Sequence, residues 1–184
     1  MHSLENPWKT LGTEEKYDNP WIRVIEDQVV RPDGSPGIYG TVQFKNWAIA
    51  IVPLAENGDT WLVGQYRYPL GAYSWEIPEG GGPVGIDPLV SAQRELKEET
   101  GIRASHWELV LEMDLSNSTT NERSYSYIAR GLSLGESEPD GDEVLQLRRL
   151  PIQEAYRMAV KGEFRDALTI ATLLKVGQML RLQV

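Results

Sequence analysis

The sequence predicts an α+β sandwich with a small amino-terminal β lobe. Three observations carry that reading: strand-like stretches are interrupted by one strongly signalled helix, two helical patterns close the chain, and strand and helix do not alternate as a doubly wound parallel sheet requires. A length of 184 residues suits one main domain with an extra lobe, divided here into residues 1–45 and 46–184.

Taken in order, the first fifteen or so residues set Pro7 and Trp8 among polar neighbours and read as a loose arm, with structure beginning at Tyr17. Apolar and polar residues alternate in Trp21–Glu26 and in Ile38–Phe44, on either side of the Pro/Gly turn Arg31–Gly37, which predicts a two-stranded lobe. Such a lobe has too little core to stand alone. Ala48–Val52 is a continuous apolar run, and it leads through Glu56-Asn57-Gly58-Asp59, a hairpin-like turn, into a strand over Thr60–Arg67. Ser74–Ile77 is a short strand, and Pro78–Gly85 is a glycine-dense loop. Asp87 as N-cap, Pro88 at the first helical position and Gly101 as the stop define a helix whose buried stripe is Leu89, Ala92 and Leu96. Strands follow at Trp107–Leu115, Arg123–Ala129 and Val144–Leu150, then helices from Ile152 to Lys161 and from Ala167 to about Leu182.

Eighteen Lys and Arg against 27 Asp and Glu leave a net charge of −9. A chain this acidic repels polyanions, so nucleic acid is excluded as a nonspecific partner, and phosphate must be met locally by a few Arg or a bound cation. The absence of cysteine removes disulfides, thiol nucleophiles and zinc–thiolate sites, and leaves His2 and His106 as the only imidazoles. His106 reads as a surface residue without a role. No apolar run approaches the ~18 residues of a membrane span, and the opening residues lack the order of a signal peptide, so a cytoplasmic protein without a membrane partner is expected.

The chemistry concentrates in Arg94-Glu95-Leu96-Lys97-Glu98-Glu99-Thr100-Gly101-Ile102. Glu95, Glu98 and Glu99 fall at i, i+3 and i+4, so their carboxylates share one helix face and repel one another. A solvated acidic face is the plain explanation. A neighbouring glycine-rich loop and the adjacent Arg94 favour another, in which hard oxygen ligands hold Mg²⁺ or Mn²⁺ together with a substrate phosphate.

With Gly80 at its head, this stretch resembles the signature of the Nudix hydrolases: Gly, five residues, Glu, seven residues, then Arg-Glu-aliphatic-any-Glu-Glu-any-Gly-aliphatic, matched without gaps over 23 residues. One position departs, since Ile86 stands where the family has its first Glu. Trp75–Gly81, Gly64–Arg67, Gly162–Thr169 and the opening Tyr17–Val24 resemble the branch that cleaves ADP-ribose and other nucleoside diphosphate sugars, while Ser116–Glu122 matches that branch only loosely and lacks its proline.

The resemblance implies a Nudix-type α/β/α sandwich and a metal-dependent pyrophosphatase acting on a nucleoside diphosphate sugar, of the ADP-ribose or GDP-mannose type. It implies that Glu95, Glu98 and Glu99 ligate Mg²⁺ or Mn²⁺ with the backbone carbonyl of Glu79, and that Arg94 orients a glutamate. It also implies that Arg67 and Glu76 meet the substrate, and that Trp21 and Tyr39 stack the base. The general base belongs to the acidic loop Glu138–Glu143, where Glu143 matches best and Glu138 and Glu122 are alternatives. The amino-terminal lobe is expected to pair two subunits into a homodimer and complete the site. Ile86 motivates the rival expectation, a Nudix-like module that binds nucleotide sugars without turnover.

Overall fold

The computed structural model describes residues 5–136 and 144–183, in two units. One unit comprises the chain up to Asn46 together with Asp114–Glu122, and the other comprises Trp47–Met113 and the chain from Arg123 onward.

The first unit is an antiparallel sheet in the order β1-β2-β3, formed by Lys9–Asp18, Ile22–Val30 and Pro36–Phe44. Strand β1 corrects the sequence expectation of a loose arm and a two-stranded lobe. All ten of its residues are exposed, so no side-chain alternation announces it, and it is held by main-chain pairing to β2 with bulges at Thr10/Gly12 and Glu15/Tyr17. Ordered turn chemistry joins β2 to β3: Asp33 Oδ1 accepts from the Ser35 N–H at 2.8 Å, and Gly34 supplies a φ of 84°. Asp114–Glu122 lies along β3, with the Val42 N–H donating to the Thr119 carbonyl at 2.9 Å and the Phe44 N–H to Asn121 Oδ1 at 2.6 Å.

In the second unit, β4 (Asn46–Pro53), β7 (Glu79–Pro83), β8 (Arg103–Asp114) and β9 (Arg123–Ser133) form a sheet in the order β7-β4-β9-β8, with β4 and β9 parallel. A second sheet, β10-β5-β6, is antiparallel and uses Gln146–Pro151, Asp59–Arg67 and Ala72–Glu76. The Glu56–Asp59 turn is therefore no hairpin: β4 and β5 belong to different sheets, and the turn, with Gly58 at φ 85°, carries the chain from one to the other. Likewise the expected glycine loop contains β7, because glycine is invisible to patterning yet keeps its main-chain groups for pairing.

Helix α1 (Pro88–Thr100) covers one side, while α2 (Ile152–Val160) and α3 (Ala167–Met179) cover the other. The apolar run of β4 explains itself here. Ile49 and Ile51 pack with Ala92 and Leu96 of α1, whereas Ala50 and Val52 pack with Ala155, Leu168, Leu173 and Val176 of α2 and α3. A strand with a core on each face has no polar side to alternate with.

Candidate active site

Helix α1 begins and ends where its capping residues dictate. Asp87 accepts from the Leu89 N–H at 2.9 Å, Pro88 occupies the first turn, and Gly101 closes the helix at φ 71° with its N–H on the Lys97 carbonyl. This fixes the rotation of the helix, and with it the direction of the glutamates. Glu95 is 9% exposed and Glu99 3%, so two of the three carboxylates are turned from solvent, while Glu98 is half-buried.

Burying carboxylates requires donors, and the chain supplies them from β7 and from Arg94. The Gly81 N–H donates to Glu95 Oε1 at 3.1 Å, and the Glu79 N–H to Glu99 Oε2 at 3.0 Å. Gly80 allows this approach, since a Cβ there would run into the Glu95 carboxylate. Arg94 donates to Glu98 Oε2 at 2.6 Å, to Glu95 Oε1 at 2.5 Å and to the Gly81 carbonyl at 2.7 Å. It finds these three partners with no carboxylate at position 86, where Ile86 is 49% exposed. Burial pushes the Glu95 carboxyl up to about 7, an effect that Arg94 partly offsets.

Among the described residues, no three His, Asp or Glu side chains already stand as a group that could hold a metal ion. The donor chemistry nevertheless fits a hard divalent cation: the donors are all oxygen, they share one helix face, and the facing wall is glycine main chain. Arg94 bridges Glu95 and Glu98 through one oxygen of each, which leaves the other oxygen of both carboxylates for a cation.

Arg67, at the end of β5, turns its guanidinium onto Glu76 of β6, with Nε 3.0 Å from Oε2 and 3.2 Å from Oε1. Glu76 is nearly fully buried, and the fork that would grip a phosphate is engaged by it. Trp21 and Tyr39 both lie in the amino-terminal unit. Ile22, next to Trp21, faces Phe44 while Tyr39 faces Asp27, five positions along the same ladder. Counted from Trp21 that is six positions, and at ~3.4 Å per residue the two residues' main chains stand roughly 20 Å apart along the sheet. Tyr39 instead meets Trp8 edge-on at 5.2 Å and donates its hydroxyl to the Ser118 carbonyl at 2.7 Å.

Glu143 and Glu138 lie outside the described residues. Glu122 is half-buried, and its burial raises its pKa. His106 is exposed, with Nδ1 2.8 Å from Ser105 Oγ. Sequence reasoning missed Trp8, which it left in the arm, and the side chains of Asp166 and Thr169. Thr169 Oγ1 donates to Glu79 Oε1 at 2.7 Å across a separation of 90 residues, a contact no local signal could reveal. Burial, with Asp166 nearby, holds the Glu79 carboxyl well above the usual carboxylate range.

Comparison with known proteins gives two family matches. Residues 8–42 match the nucleoside diphosphate sugar hydrolase N-terminal domain, and residues 45–173 match the NUDIX domain. The chain is 33% identical over 175 residues to an ADP-ribose pyrophosphatase of Mycobacterium tuberculosis, covering 94% of this chain and 84% of that protein. It is 31% identical over 177 residues to a methanol dehydrogenase activator of Bacillus methanolicus, covering 95% and 93%. A crystal structure of an ADP compounds hydrolase superposes with a TM-score of 0.86 at 21% identity, over 98% of this chain and 97% of the other, and so shares the fold.

Proposed function

Starting from the fact that the chain belongs to the NUDIX family, whose enzymes are hydrolases that work with divalent metal ions, we propose that it hydrolyses the diphosphate of a nucleoside diphosphate sugar. The observation that carries this is the pair Glu95 and Glu99 held on the main chain of β7, with Glu98 joined to Glu95 through Arg94. ADP-ribose and GDP-mannose represent the substrate class, and the names of the relatives favour an adenosine diphosphate compound.

Glu95, Glu98, Glu99 and the carbonyl of Glu79 would hold Mg²⁺ or Mn²⁺. A cation bound there neutralises diphosphate charge and acidifies the attacking water. The chain's own groups do the rest. Arg94 keeps Glu95 and Glu98 in register. Glu143 accepts the water's proton, with Glu138 and Glu122 as alternatives. The water oxygen bonds to one phosphorus, the bond from that phosphorus to the bridging oxygen breaks, and nucleoside monophosphate and sugar phosphate leave. Arg67 and Glu76 act on the substrate as a pair, the glutamate orienting the guanidinium.

The enzyme is proposed to be a cytoplasmic homodimer in which the base lies between Trp21 of one protomer and Tyr39 of the other. The roughly 20 Å between the main-chain positions of Trp21 and Tyr39 in a single chain supports a shared site.

Incubation with ADP-ribose, ADP-glucose and GDP-mannose, with Mg²⁺ or with EDTA, tests the reading. Monophosphate release with Mg²⁺ alone is expected, and Glu98→Gln should lower turnover about 100-fold or more. Tight nucleotide-sugar binding without product in any arm would overturn it in favour of a binding module.

A further inference from the structure

Glu79 enters the site through its main chain, yet its side chain is the less ordinary feature. A carboxyl group buried beside Asp166 and Glu76 carries a desolvation cost that a small apolar side chain would avoid. The contacts it makes run between α3 and α1. Its Oε1 accepts from Thr169 Oγ1 at 2.7 Å, and that same hydroxyl accepts from the Ile77 N–H at 3.1 Å. Thr169 is fully buried in the first turn of α3, where its N–H donates to the capping Asp166 Oδ2 at 2.5 Å. One hydroxyl therefore grips both ends of the Ile77-Pro78-Glu79 segment and ties it to a capped helix terminus. On the opposite side the Glu79 N–H donates to Glu99 Oε2 at 3.0 Å. A shift of the 77–79 main chain would move that donor, and Glu99 with it.

We propose that the Glu79 side chain is a positioning residue for the divalent cation, acting with Thr169 and Asp166 as a strap that fixes the 77–79 main chain and thereby sets the Glu99 carboxylate and the Glu79 carbonyl in ligating position. It reaches the cation only through the main chain and Glu99, and it touches no substrate. This rests on the metal site of the preceding section. The expectation follows from how supporting hydrogen bonds act at metal sites, where losing one typically weakens affinity 10–100-fold while the ligands themselves remain.

The test reads Mn²⁺ binding to the full-length protein by electron paramagnetic resonance without substrate, and then the Mn²⁺ dependence of turnover. Glu79→Ala should weaken Mn²⁺ binding about 10-fold and raise the half-saturating Mn²⁺ concentration equally. Thr169→Val should do the same and Thr169→Ser, which keeps the hydroxyl, should retain affinity; this pair carries the test if Glu79→Ala does not fold. A change of packing alone would lower Tm in Glu79→Ala and Thr169→Val without moving Mn²⁺ affinity, and that result overturns the proposal. Should the unmutated protein bind no Mn²⁺, the metal site itself is wrong and the strap falls with it; should it bind Mn²⁺ as tightly as both variants do, only the strap is wrong.

Discussion

A buried ionisable group declares itself through pH. Tyr127 packs on the α1 side of β9, edge-on to Trp107 at 6.2 Å, and burial, helped by Asp87, Tyr125 and Glu112, pushes its hydroxyl from about 10 up to about 12. A raised folded-state value means that its contribution to stability is full below about pH 10 and is lost as pH climbs towards about 12, because the unfolded chain releases its proton first. Thermal melts between pH 9 and 12 should therefore show a shallower fall in Tm for Tyr127→Phe than for the unmutated protein; parallel curves would refute the assignment. At this same scale the sequence was informative about which carboxylates share a helix face and silent about their surroundings. The spacing of Glu95, Glu98 and Glu99 puts them together, but a solvated face and a buried one have identical spacing. What separates them is β7, whose N–H groups turn two of the glutamates inward. Arg67 is the converse: its position at a strand end suggested an open phosphate clamp, and the cross-strand carboxylate that engages it lies nine residues away.

Element by element, legibility follows the kind of force that holds each piece. Helix α1 was readable to the residue at both ends because its termini are decided by local chemistry, the Asp87 cap and the left-handed Gly101. Its glutamates depend on those ends, so the caps should matter to function as well as to stability. Asp87→Ala is expected to cost about 1 kcal/mol. Gly101→Ala should cost more than that, because φ is 71° and an added Cβ would strike the Gly135 main chain. Denaturant unfolding of the two variants checks the order, and equal losses would count against it. Strands β1 and β7 were not readable, since one has only exposed residues and the other is mostly glycine; both exist through main-chain pairing, which leaves no trace in side-chain pattern. The same holds for the turn after β4. A Gly-containing turn between two strand signals reads as a hairpin, and only the pairing partners, β9 for β4 and β10 for β5, reveal that it changes sheets.

For the molecule as a whole, the α+β architecture was legible because it rests on the order of strong signals, while the association of Asp114–Glu122 with the amino-terminal strands was not, being a long-range pairing to β3. If two protomers share each base site, complementation follows. Trp21→Ala and Tyr39→Ala should each be weak as homodimers, whereas every mixed dimer regains one intact site of its two, so equal mixing with subunit exchange should recover up to about a quarter of the unmutated activity. No recovery alongside a dimeric mass by light scattering would sink the shared-site reading. The amino-terminal sheet must also avoid partners it does not want. In the order β1-β2-β3, strand β1 pairs among the described residues with β2 alone, which leaves an edge of main-chain groups on its outer side. Lys9, Glu14, Glu15, Lys16 and Asp18 crowd this border with charge of both signs, and two bulges break its regular spacing. The strand that sequence patterning could not see is thus also one that other strands cannot easily extend: the features that hid it act as a guard against runaway sheet growth.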